Sequence, residues 1–188
     1  MYSFDQLNLS NDSLKILKGL KFENPTPIQE KVIPVALQGN DVMGTAQTGS
    51  GKTLSYILPI VEKLRKNVND KFLILAPTRE LSEQVFSVSK IFLGHGKPFK
   101  AINLIGGKGI FSQINQLKKN PQIIIGTPGR INDLLERKSL SLSKCSIVVL
   151  DEMDRMLDMG FGYQVDMILK FIDKRRQMIL LSATLPPQ

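Results

Sequence analysis

The residues best suited to chemistry lie between positions 46 and 53, which read Ala46-Gln47-Thr48-Gly49-Ser50-Gly51-Lys52-Thr53. Glycines and small residues at this spacing let successive backbone N–H groups surround phosphate oxygens, while a lysine reaches the β- and γ-phosphates and a threonine hydroxyl binds Mg²⁺. A plain glycine turn at a helix start is the alternative, but it does not require the whole eight-residue pattern. The residues expected to hold the nucleotide here are Thr48, Gly49, Ser50, Gly51, Lys52 and Thr53.

A second acidic site follows the apolar run Ile147-Val148-Val149-Leu150, where Asp151 and Glu152 stand side by side. Parallel strands carry their ligands at the carboxyl end, which is where these two carboxylates would lie. We expect Asp151 to hold Mg²⁺ through its water shell and Glu152 to orient or deprotonate the attacking water. A solvated strand end is the alternative. Together, Lys52, Asp151 and Glu152 predict hydrolysis of a nucleoside triphosphate.

These residues need a rigid frame, and the sequence supplies one by alternating short apolar runs with helical patterns. The predicted strands are Asp41–Gly44, Phe72–Ala76, Ala101–Ile105, Ile123–Gly126, Ile147–Leu150 and Met178–Leu181. The predicted helices are Asn11–Lys18, Ile28–Leu37, Lys52–Arg65, Glu80–Leu93, Ile110–Lys118, Arg130–Arg137 and Phe161–Ile172. This order predicts an α/β domain with a mainly parallel sheet and helices on both faces.

Composition narrows the class of protein. The chain has 188 residues, of which 42 % are hydrophobic, as expected for one α/β domain. No apolar run approaches the roughly 20 residues that span a bilayer, and the first ten residues lack the pattern of a secretory signal. With a single cysteine, Cys145, and a single histidine, His95, neither a disulfide framework nor an ordinary zinc cluster is expected, and both side chains are expected to be structural.

The net charge is +8, and most of it falls in one segment of the sequence. Between His95 and Lys144 the acidic residues are Asp133 and Glu136 alone. The basic residues of this segment are Lys97, Lys100, Lys108, Lys118, Lys119, Arg130, Arg137, Lys138 and Lys144. Such a segment predicts either a solvated basic face or a surface for phosphate backbones.

Several further motifs resemble those of the DEAD-box RNA helicases, and they occur in that family's order from Phe4 to Thr184. The segment Phe22-Glu23-Asn24-Pro25-Thr26-Pro27-Ile28-Gln29 resembles the family's Q motif, and Asp151-Glu152-Met153-Asp154 stands at its acidic motif. The remaining matches are Pro77-Thr78-Arg79-Glu80-Leu81, Gly106-Gly107, Thr127-Pro128-Gly129-Arg130 and Ser182-Ala183-Thr184. The resemblance implies a RecA-like P-loop domain that uses ATP and Mg²⁺.

The resemblance also implies an adenine pocket. Phe22 would offer an aromatic face to the base, and the side-chain amide of Gln29 would match the adenine edge and reject guanine, which reverses the donor and acceptor pattern. Phe4 corresponds to the upstream aromatic residue that supports this pocket in the family. The alternatives are that Phe22 is a core residue, that Gln29 is an exposed helix residue, and that Phe4 serves only in packing.

An RNA site is implied as well, because hydroxyls, backbone N–H groups and guanidinium groups hold phosphates without reading bases. The implied partner is single-stranded RNA or a short duplex, bound through its backbone, and the helix 130–137 would bend it. The implied RNA-binding residues are Thr78, Arg79, Gly107, Thr127, Gly129 and Arg130. Asp154 would bond to Ser182 and Thr184 and so couple the nucleotide to RNA; these two hydroxyls as ordinary strand-end polar groups are the alternative.

The chain departs from the family pattern at two positions. Met153 replaces the usual Ala of the acidic motif, where it could fill a gap behind the sheet or overpack it. Lys21 stands where the family usually has Gly, which leaves the aromatic Phe22 unaffected. Neither change removes a group that handles nucleotide or metal, so we expect the nucleotide site to function.

We expect one domain, with residues 1–38 forming the Q-motif region and residues 39–188 the RecA-like core. The family's second RecA-like domain has no match here, so the chain is expected to be a monomeric fragment that binds nucleotide but hydrolyses it poorly. An intracellular location, cytoplasmic or nuclear, and no membrane partner are expected. The alternatives are a nucleic-acid-binding scaffold with a vestigial nucleotide site and a different P-loop ATPase such as a DNA helicase.

Overall fold

The computed structural model describes residues 3–94 and 99–184, so His95 and Lys97 lie outside the described residues. The strands are β1 (Val42–Thr45), β2 (Lys71–Leu75), β3 (Ala101–Leu104), β4 (Ile123–Gly126), β5 (Cys145–Asp151) and β6 (Gln177–Ser182). The helices are α1 (Asn11–Gly19), α2 (Pro27–Leu37), α3 (Lys52–Lys66), α4 (Arg79–Leu93), α5 (Ile110–Leu117), α6 (Pro128–Glu136), α7 (Met153–Asp158) and α8 (Gly162–Leu169). All six strand predictions are confirmed, with ends that shift by at most two residues.

The six strands form one sheet in the order β1-β6-β5-β2-β4-β3, and every pair is parallel. The predicted mainly parallel sheet is therefore entirely parallel within the described residues. Each strand ends at one edge of the sheet, called here the carboxyl edge, and begins at the other, called the amino edge. The helices that leave the carboxyl edge return the chain to the amino edge, as crossover connections must.

Two apolar layers cover the sheet, one on each face. Along β5, Ile147 and Val149 belong to the layer formed with α1 to α4, whereas Val148 and Leu150 belong to the layer formed with α5 to α8. The two sets alternate because successive side chains of a strand point to opposite faces. All four side chains are buried, which explains why the strand reads as a continuous apolar run. The predicted helices on both faces are confirmed.

The amino-terminal helix α1 is fixed to the core by a buried polar cluster. Glu62 on α3 is 7 % exposed and accepts hydrogen bonds from Ser10 Oγ at 2.8 Å and Ser13 Oγ at 2.6 Å. Arg65 Nη1 lies 2.8 Å from the same Glu62 oxygen, so the buried carboxylate is paired as well as hydrogen-bonded. Ser10 is also the N-cap of α1, as its position just before the apolar pattern suggests.

Two short elements have no counterpart among the predictions. A 3-10 helix spans Phe4–Leu7, and α7 spans Met153–Asp158. Both are too short for an apolar period to show in the sequence. Helix α7 matters for the site because it begins within the acidic motif, so that Met153 and Asp154 do not continue in the direction of β5.

Candidate active site

The strand order divides the carboxyl edge into two groups of three strands. The ends of β1, β6 and β5 are neighbours, and the ends of β2, β4 and β3 are neighbours. The first group carries the P-loop, Ser182 and Asp151, and we call it the nucleotide half. The second group carries Thr78, Gly107 and Thr127 on the loops that follow its strands, and we call it the RNA half. Motifs that alternate along the chain are therefore sorted into two adjacent sites.

The P-loop connects β1 to α3 and ends in a left-handed turn. Gly51 is the N-cap of α3 with φ of 87°, and Gly49 has φ of 83°, a region that side chains other than glycine rarely adopt. Lys52 opens the helix and is only 7 % exposed. Its Nζ atom and the Ser50 Oγ atom are buried with no hydrogen-bond partner in the described part of the protein. Buried polar groups without partners are costly, which indicates a site built for an external anion.

Asp151, the last residue of β5, is 2 % exposed and bonds to a residue that the sequence did not single out. Tyr56 on α3 donates its hydroxyl to Asp151 Oδ2 at 2.7 Å. Burial raises the pKa of Asp151, although the Tyr56 hydrogen bond and the nearby Lys52 charge oppose the rise. Burial, reinforced by the Asp151 charge, also raises the pKa of Tyr56 well above its ordinary value. Tyr56 thus fixes one oxygen of the carboxylate and leaves Oδ1, which is buried without a partner, for a ligand.

Glu152 follows in a left-handed conformation, with φ of 51° and ψ of 50°. This conformation costs a residue with a side chain about 1–2 kcal/mol. It turns the chain sharply from β5 into α7, so that adjacent carboxylates have different surroundings. Glu152 Oε2 lies 3.3 Å from Nη1 of the exposed Arg155, whereas Asp151 points into the protein.

The oxygen atoms of this half suit a hard cation such as Mg²⁺. Asp151 Oδ1 has no partner, and Thr53 stands in the first turn of α3 beside Lys52. No group of three or more His, Cys, Asp or Glu side chains within residues 3–94 and 99–184 could hold a metal by itself. Mg²⁺ would therefore take its other ligands from phosphate oxygens and water, as this ion commonly does.

A hollow of about 420 Å³ adjoins the P-loop and has aromatic walls. Phe4, Phe22 and Phe92 line it, together with Gln29 and Thr53. Phe22 is 47 % exposed while Gln29 is 3 % exposed, so the alternative of a core Phe22 and an exposed Gln29 is wrong. Phe4 is buried and contributes to both the hollow and the core, which joins the two roles considered for it.

Gln29 is held by two hydrogen bonds within the protein. Its Oε1 accepts from the Thr26 backbone N–H at 3.0 Å, and its Nε2 donates to the Gly51 carbonyl oxygen at 3.0 Å. Gln29 therefore connects the start of α2 to the P-loop. An amide side chain has two acceptor lone pairs and two N–H donors, so one acceptor site and one donor remain.

Asp154, the fourth residue of the acidic motif, accepts hydrogen bonds from the motif that was expected to couple the two sites. Thr184 donates from both its backbone N–H and its Oγ1 to Asp154 Oδ2, each at 3.0 Å, and the Ala183 N–H donates to the same oxygen at 3.2 Å. The Asp154 N–H donates to Ser182 Oγ at 3.3 Å. Partial burial alone would raise the pKa of Asp154, but hydrogen bonds from Arg155, Ser182 and Thr184 outweigh it and hold the pKa below its usual range. The structure thus brings all three coupling residues together.

The RNA half forms a separate open hollow of about 580 Å³. Five of the six implied RNA-binding residues line it, namely Thr78, Arg79, Thr127, Gly129 and Arg130. The sixth, Gly107, has φ of 80°, and a Cβ at this position would lie 2.6 Å from Arg79 Nη1. The glycine therefore makes room for the guanidinium, which has neither a hydrogen-bond nor an ion-pair partner among the described residues.

Other residues of this half have structural bonds as well. Thr78 Oγ1 caps α4 by accepting from the Leu81 N–H at 3.2 Å. Arg130 Nη1 donates at 3.1 Å to both the Lys108 carbonyl oxygen and Gln113 Oε1, and Gln113 is buried. Arg130 is thus fixed by its surroundings while Arg79 is not, a difference that the sequence does not reveal.

The basic segment 95–144 does not form one surface. Lys108 and Arg130 lie at the carboxyl edge, whereas Lys100 and Lys144 directly precede strands at the amino edge and Lys119 lies between α5 and β4. Several basic residues that lie near the expected RNA motifs in the sequence are therefore far from them in the fold. Cys145, in the same segment, is 3 % exposed in the core, and burial raises the pKa of its thiol to about 12, as a structural role requires.

Sequence reasoning missed Tyr56, Gln113 and the bracing role of Gln29. Tyr56 lies four residues after Lys52, one helical turn away, and this spacing could have placed its hydroxyl near the site. Thr26 and Gln29 have the spacing of a capping box, which could have predicted their hydrogen bond. No local signal connects Gln113 to Arg130.

Comparison with known proteins agrees with this geometry. The family model described as DEAD/DEAH box helicase matches residues 26–188. An ATP-dependent RNA helicase CshA of Listeria monocytogenes is 46 % identical over 99 % of this chain and 36 % of its own length. A DEAD-box ATP-dependent RNA helicase CshA of Geobacillus kaustophilus is 46 % identical over 99 % of this chain and 40 % of its own length.

A solved structure is similar in fold as well as in sequence. The crystal structure of a DEAD box protein from the hyperthermophile Methanococcus jannaschii gives a TM-score of 0.92 at 42 % identity, over 98 % of this chain and 50 % of that one. The present chain thus spans half or less of the proteins it resembles. Within the part that the structure describes, no helix has the length and apolarity needed to cross a bilayer.

Proposed function

The chain belongs to the DEAD/DEAH box helicase family, and we propose that it is the nucleotide-binding unit of an ATP-dependent RNA helicase, with part of the RNA site. Residues 1–38 would contribute the nucleobase side of the site, and residues 39–188 its phosphate and RNA sides. The full reaction would be ATP hydrolysis coupled to a change in how RNA is held.

The observation that supports this proposal best is a group of buried polar atoms without partners beside the P-loop. Lys52 Nζ, Ser50 Oγ and Asp151 Oδ1 come from two elements, and each lacks a hydrogen bond within the described residues. A vestigial site would be free to replace such costly groups by apolar ones. Their presence favours an active phosphate and metal site over a scaffold that has lost it.

Each residue then has a physical task. Lys52 would neutralise the phosphates, Asp151 and Thr53 would hold Mg²⁺, and Glu152 would orient the attacking water. Mg²⁺, held by Asp151 and Thr53, would supply positive charge that neutralises the phosphates. Tyr56 keeps the Asp151 carboxylate turned toward the metal position, and Asp154 links Thr184 and Ser182 to this site.

Adenine selectivity would come from the remaining hydrogen-bonding capacity of Gln29. Its free lone pair and its free N–H match the N6 amino group and N7 atom of adenine, a pairing that glutamine side chains commonly make. Guanine has an acceptor, O6, where adenine has N6, so it would place an acceptor against the carbonyl oxygen of Gln29, which could not bond to it. Phe22, half exposed at the hollow, would stack on the base.

Calorimetric titration with ADP and GDP in Mg²⁺ tests this site. We expect ADP to bind about tenfold or more tightly, because a wrong base edge costs roughly 1–3 kcal/mol. Gln29→Ala should abolish most of the preference, and the ratio of the two affinities is the useful readout because Gln29 also braces Gly51. Phe22→Leu should weaken both nucleotides and keep the ratio. Equal affinities for ADP and GDP in the parent chain would refute the adenine pocket.

The RNA half would hold a sugar–phosphate backbone with little regard to base sequence. The hollow offers hydroxyls, backbone N–H groups and the unpaired guanidinium of Arg79. Binding of single-stranded RNA should weaken as salt rises, and Arg79→Gln should reduce the slope of log K against log salt by about 0.7 for one lost phosphate contact. Arg130→Gln should act in the same direction. Strong sequence preference without salt dependence would contradict this proposal.

Hydrolysis by this chain alone should be close to background. Lys52 would neutralise part of the phosphate charge, and in related enzymes an arginine finger that contributes roughly 10³–10⁵ in rate completes the site. Arg155, the arginine nearest in sequence to the acidic motif, is already paired with Glu152. Steady-state ATP hydrolysis with and without single-stranded RNA tests this expectation. Robust RNA-stimulated turnover that disappears in Glu152→Gln would show that the chain carries a complete site.

A further inference from the structure

The amino edge of the sheet carries a band of basic side chains that the proposed function does not use. Most of them directly precede or open strands, whereas Lys118 and Lys119 follow α5 and Lys63 lies in the last turn of α3. We call this set the amino-edge band, and it consists of Lys63, Lys71, Lys100, Lys118, Lys119, Lys144, Lys174, Arg175 and Arg176. These residues are far apart in the sequence, and only the sheet brings them to one edge.

Contacts connect the chain segments that carry the band from β6 to β3. Lys63, Arg175 and Arg176 line one hollow of about 410 Å³ with Ser146 at the start of β5. The Lys71 N–H donates to the Lys144 carbonyl oxygen at 3.2 Å, which joins β2 to β5.

On the other side of β2 the contacts continue to β4 and β3. The Phe72 N–H donates to the Gln122 carbonyl oxygen, and the Gln122 N–H donates to the Lys100 carbonyl oxygen, each at 2.9 Å. Lys100 Nζ reaches the Lys119 carbonyl oxygen at 3.4 Å. The five strand starts from β6 to β3 span four strand spacings, or about 19 Å.

The carboxylates at this edge are fewer than its basic side chains, and three of them are engaged, whereas Glu136 at the end of α6 is exposed. Asp173 pairs with Arg175 at 2.9 Å, Asp70 accepts from Ser146 Oγ at 3.0 Å, and Asp41 accepts from the Met178 N–H at 2.7 Å. Burial lowers the pKa of Lys71, and the charge of Lys144 lowers it further, although Cys145 opposes the shift. The nine basic side chains of the amino-edge band therefore outnumber the carboxylates beside them.

The carboxyl edge is different, because its charges are balanced. Its basic side chains are Lys52, Arg79, Lys108, Arg130 and Arg155, and its acidic side chains are Glu80, Glu83, Asp151, Glu152 and Asp154. The net charge of +8 therefore has its densest concentration away from the motifs. Nothing in nucleotide binding requires this arrangement.

We propose that the amino-edge band binds the phosphate backbone of double-helical RNA. The proposal rests on the proposed function only in that RNA is the polyanion this protein would meet. A nucleic-acid duplex carries about one charge per 1.7 Å, or roughly eleven charges along the 19 Å of the band. The duplex would lie at the opposite end of the sheet from the single-stranded site, since the seven residues of β5 separate the edges by about 20 Å.

The composition of the band favours this partner over two others. Seven of its nine residues are lysines, which protein–protein interfaces disfavour and phosphate backbones attract. Many proteins that bind single strands without sequence preference combine a basic groove with several aromatic side chains on which bases stack. Among the exposed aromatic residues of the segments 3–94 and 99–184, Phe22, Phe111 and Tyr163 belong to other parts of the protein and only Phe171 lies after α8 on the amino-edge side. A double helix needs no stacking platform and is recognised by shape and charge.

The test uses the intact chain and a blunt RNA duplex labelled for fluorescence anisotropy. The band variant carries Lys119→Gln, Lys144→Gln and Lys174→Gln, three exposed positions on three different loops. The control variant carries Lys15→Gln, Lys18→Gln and Lys31→Gln, which are equally exposed on α1 and α2 and remove the same charge. Thermal unfolding and ADP affinity are measured on both variants.

We expect the band variant to lower the slope of log K against log salt by about 2–3 and to lose at least tenfold in duplex affinity at moderate salt. The control variant should change this slope by less than about one. Arg79→Gln should weaken single-stranded RNA binding and leave the duplex slope unchanged. Equal slopes for band and control variants would overturn the proposal. Poly-L-glutamate of equal charge binding as tightly as the duplex would also overturn it, in favour of an acidic protein partner. If the parent chain does not bind ADP, that result would contradict the proposed function alone and would leave the duplex measurement as the test of the amino-edge band.

Discussion

The two edges of the sheet hold charge in opposite ways. At the carboxyl edge, Lys52 and Asp151 are 7 % and 2 % exposed, and each has a buried polar atom without a partner. At the amino edge, Lys144 and Lys174 are exposed to solvent. Burying a charge costs desolvation free energy but strengthens its electrostatic interaction with a ligand. An exposed charge costs little free energy and interacts weakly, because water screens it. The difference separates a site that does chemistry from a surface that gathers a polyanion.

Two carboxylates show the same contrast. Burial raises the pKa of Asp151 at the carboxyl edge, so the folded protein resists its ionised form. At the amino edge, hydrogen bonds from Arg175 lower the pKa of the exposed Asp173 to about 2. Asp151 thus destabilises the ligand-free protein and could bind a cation, whereas Asp173 already has hydrogen-bond partners within the protein. Four pairs of substitutions, one at each edge, can break or sharpen this comparison.

The largest effect is expected from Lys52→Met, compared with Lys144→Met. Removing a buried charge that would contact phosphates should cost at least ~2 kcal/mol, or about 30-fold in the Kd for ADP·Mg²⁺. The same change at Lys144 should alter this Kd less than twofold. Calorimetry in identical buffers gives both values.

The stability of the two lysine variants provides an independent readout. Because Lys52 Nζ is buried without a partner among the described residues, Lys52→Met should raise the Tm of the ligand-free protein. Lys144→Met should leave it almost unchanged. A fall in Tm for Lys52→Met would mean that its ammonium group stabilises the fold, and the contrast between the edges would then be wrong.

The next effect concerns a hydroxyl that donates to a carboxylate at each edge. Tyr56→Phe removes the donor to Asp151, and Ser146→Ala removes the donor to Asp70. Groups that orient a metal-binding carboxylate typically contribute 10–100-fold to metal affinity. We therefore expect Tyr56→Phe to raise the Mg²⁺ concentration needed for tight ADP binding about tenfold, with ADP affinity in EDTA unchanged.

Ser146→Ala should lower the Tm slightly without any effect on Mg²⁺. Tyr56→Phe should also lower the Tm, since a buried acceptor that loses its donor costs about 1–3 kcal/mol. A loss of stability in Tyr56→Phe with an unchanged Mg²⁺ requirement would reduce Tyr56 to a packing residue. The Mg²⁺ titration thus separates a positioning role from a structural one.

A smaller effect, of a few degrees in Tm, is expected from the two carboxylates as pH varies. The raised pKa of Asp151 means that its contribution to stability is full below the unfolded pKa of about 3.9 and is lost as pH rises through the folded pKa. Asp151→Asn should therefore raise the Tm at pH 7, and the gain should shrink toward pH 4. Differential scanning calorimetry of the ligand-free protein measures this trend.

Asp173→Asn should show the opposite sign. Its lowered pKa contributes stability above the unfolded pKa, which is lost as pH falls through about 2. The Tm should fall at pH 7, but only slightly, because exposed ion pairs contribute little. Asp151→Asn lowering the Tm at pH 7 would contradict the view that this carboxylate is held at a cost.

The smallest effect on function is expected from Met153→Ala. Met153 and Met178 are both partly buried against the same apolar layer, one beside the acidic motif and one on β6 near the amino edge. Each truncation should cost about 1 kcal/mol, since half-buried side chains lose less than the 2–5 kcal/mol of fully buried ones. ADP affinity should change less than threefold in both variants. A large change in nucleotide binding for Met153→Ala alone would show that this side chain touches the site.

The sequence by itself determined the elements and the chemistry. Apolar runs such as Ile147–Leu150 and the periodic pattern of α3 are local signals, so strands and helices could be predicted within a few residues. The P-loop and acidic motif are also local, because the distance from Lys52 to Thr53 or from Asp151 to Glu152 is set by the chain itself. The short α7 escaped prediction because six residues carry no period.

Only the tertiary structure decided which of these residues meet. The order β1-β6-β5-β2-β4-β3 brings Tyr56 to Asp151 across 95 residues and Thr184 to Asp154 across 30. It also divides the basic segment 95–144, because each helix carries the chain from one edge of the sheet to the other, so lysines close in sequence end about 20 Å apart. Strand order depends on burying both faces of the sheet at once, a property of the whole chain that no local pattern encodes.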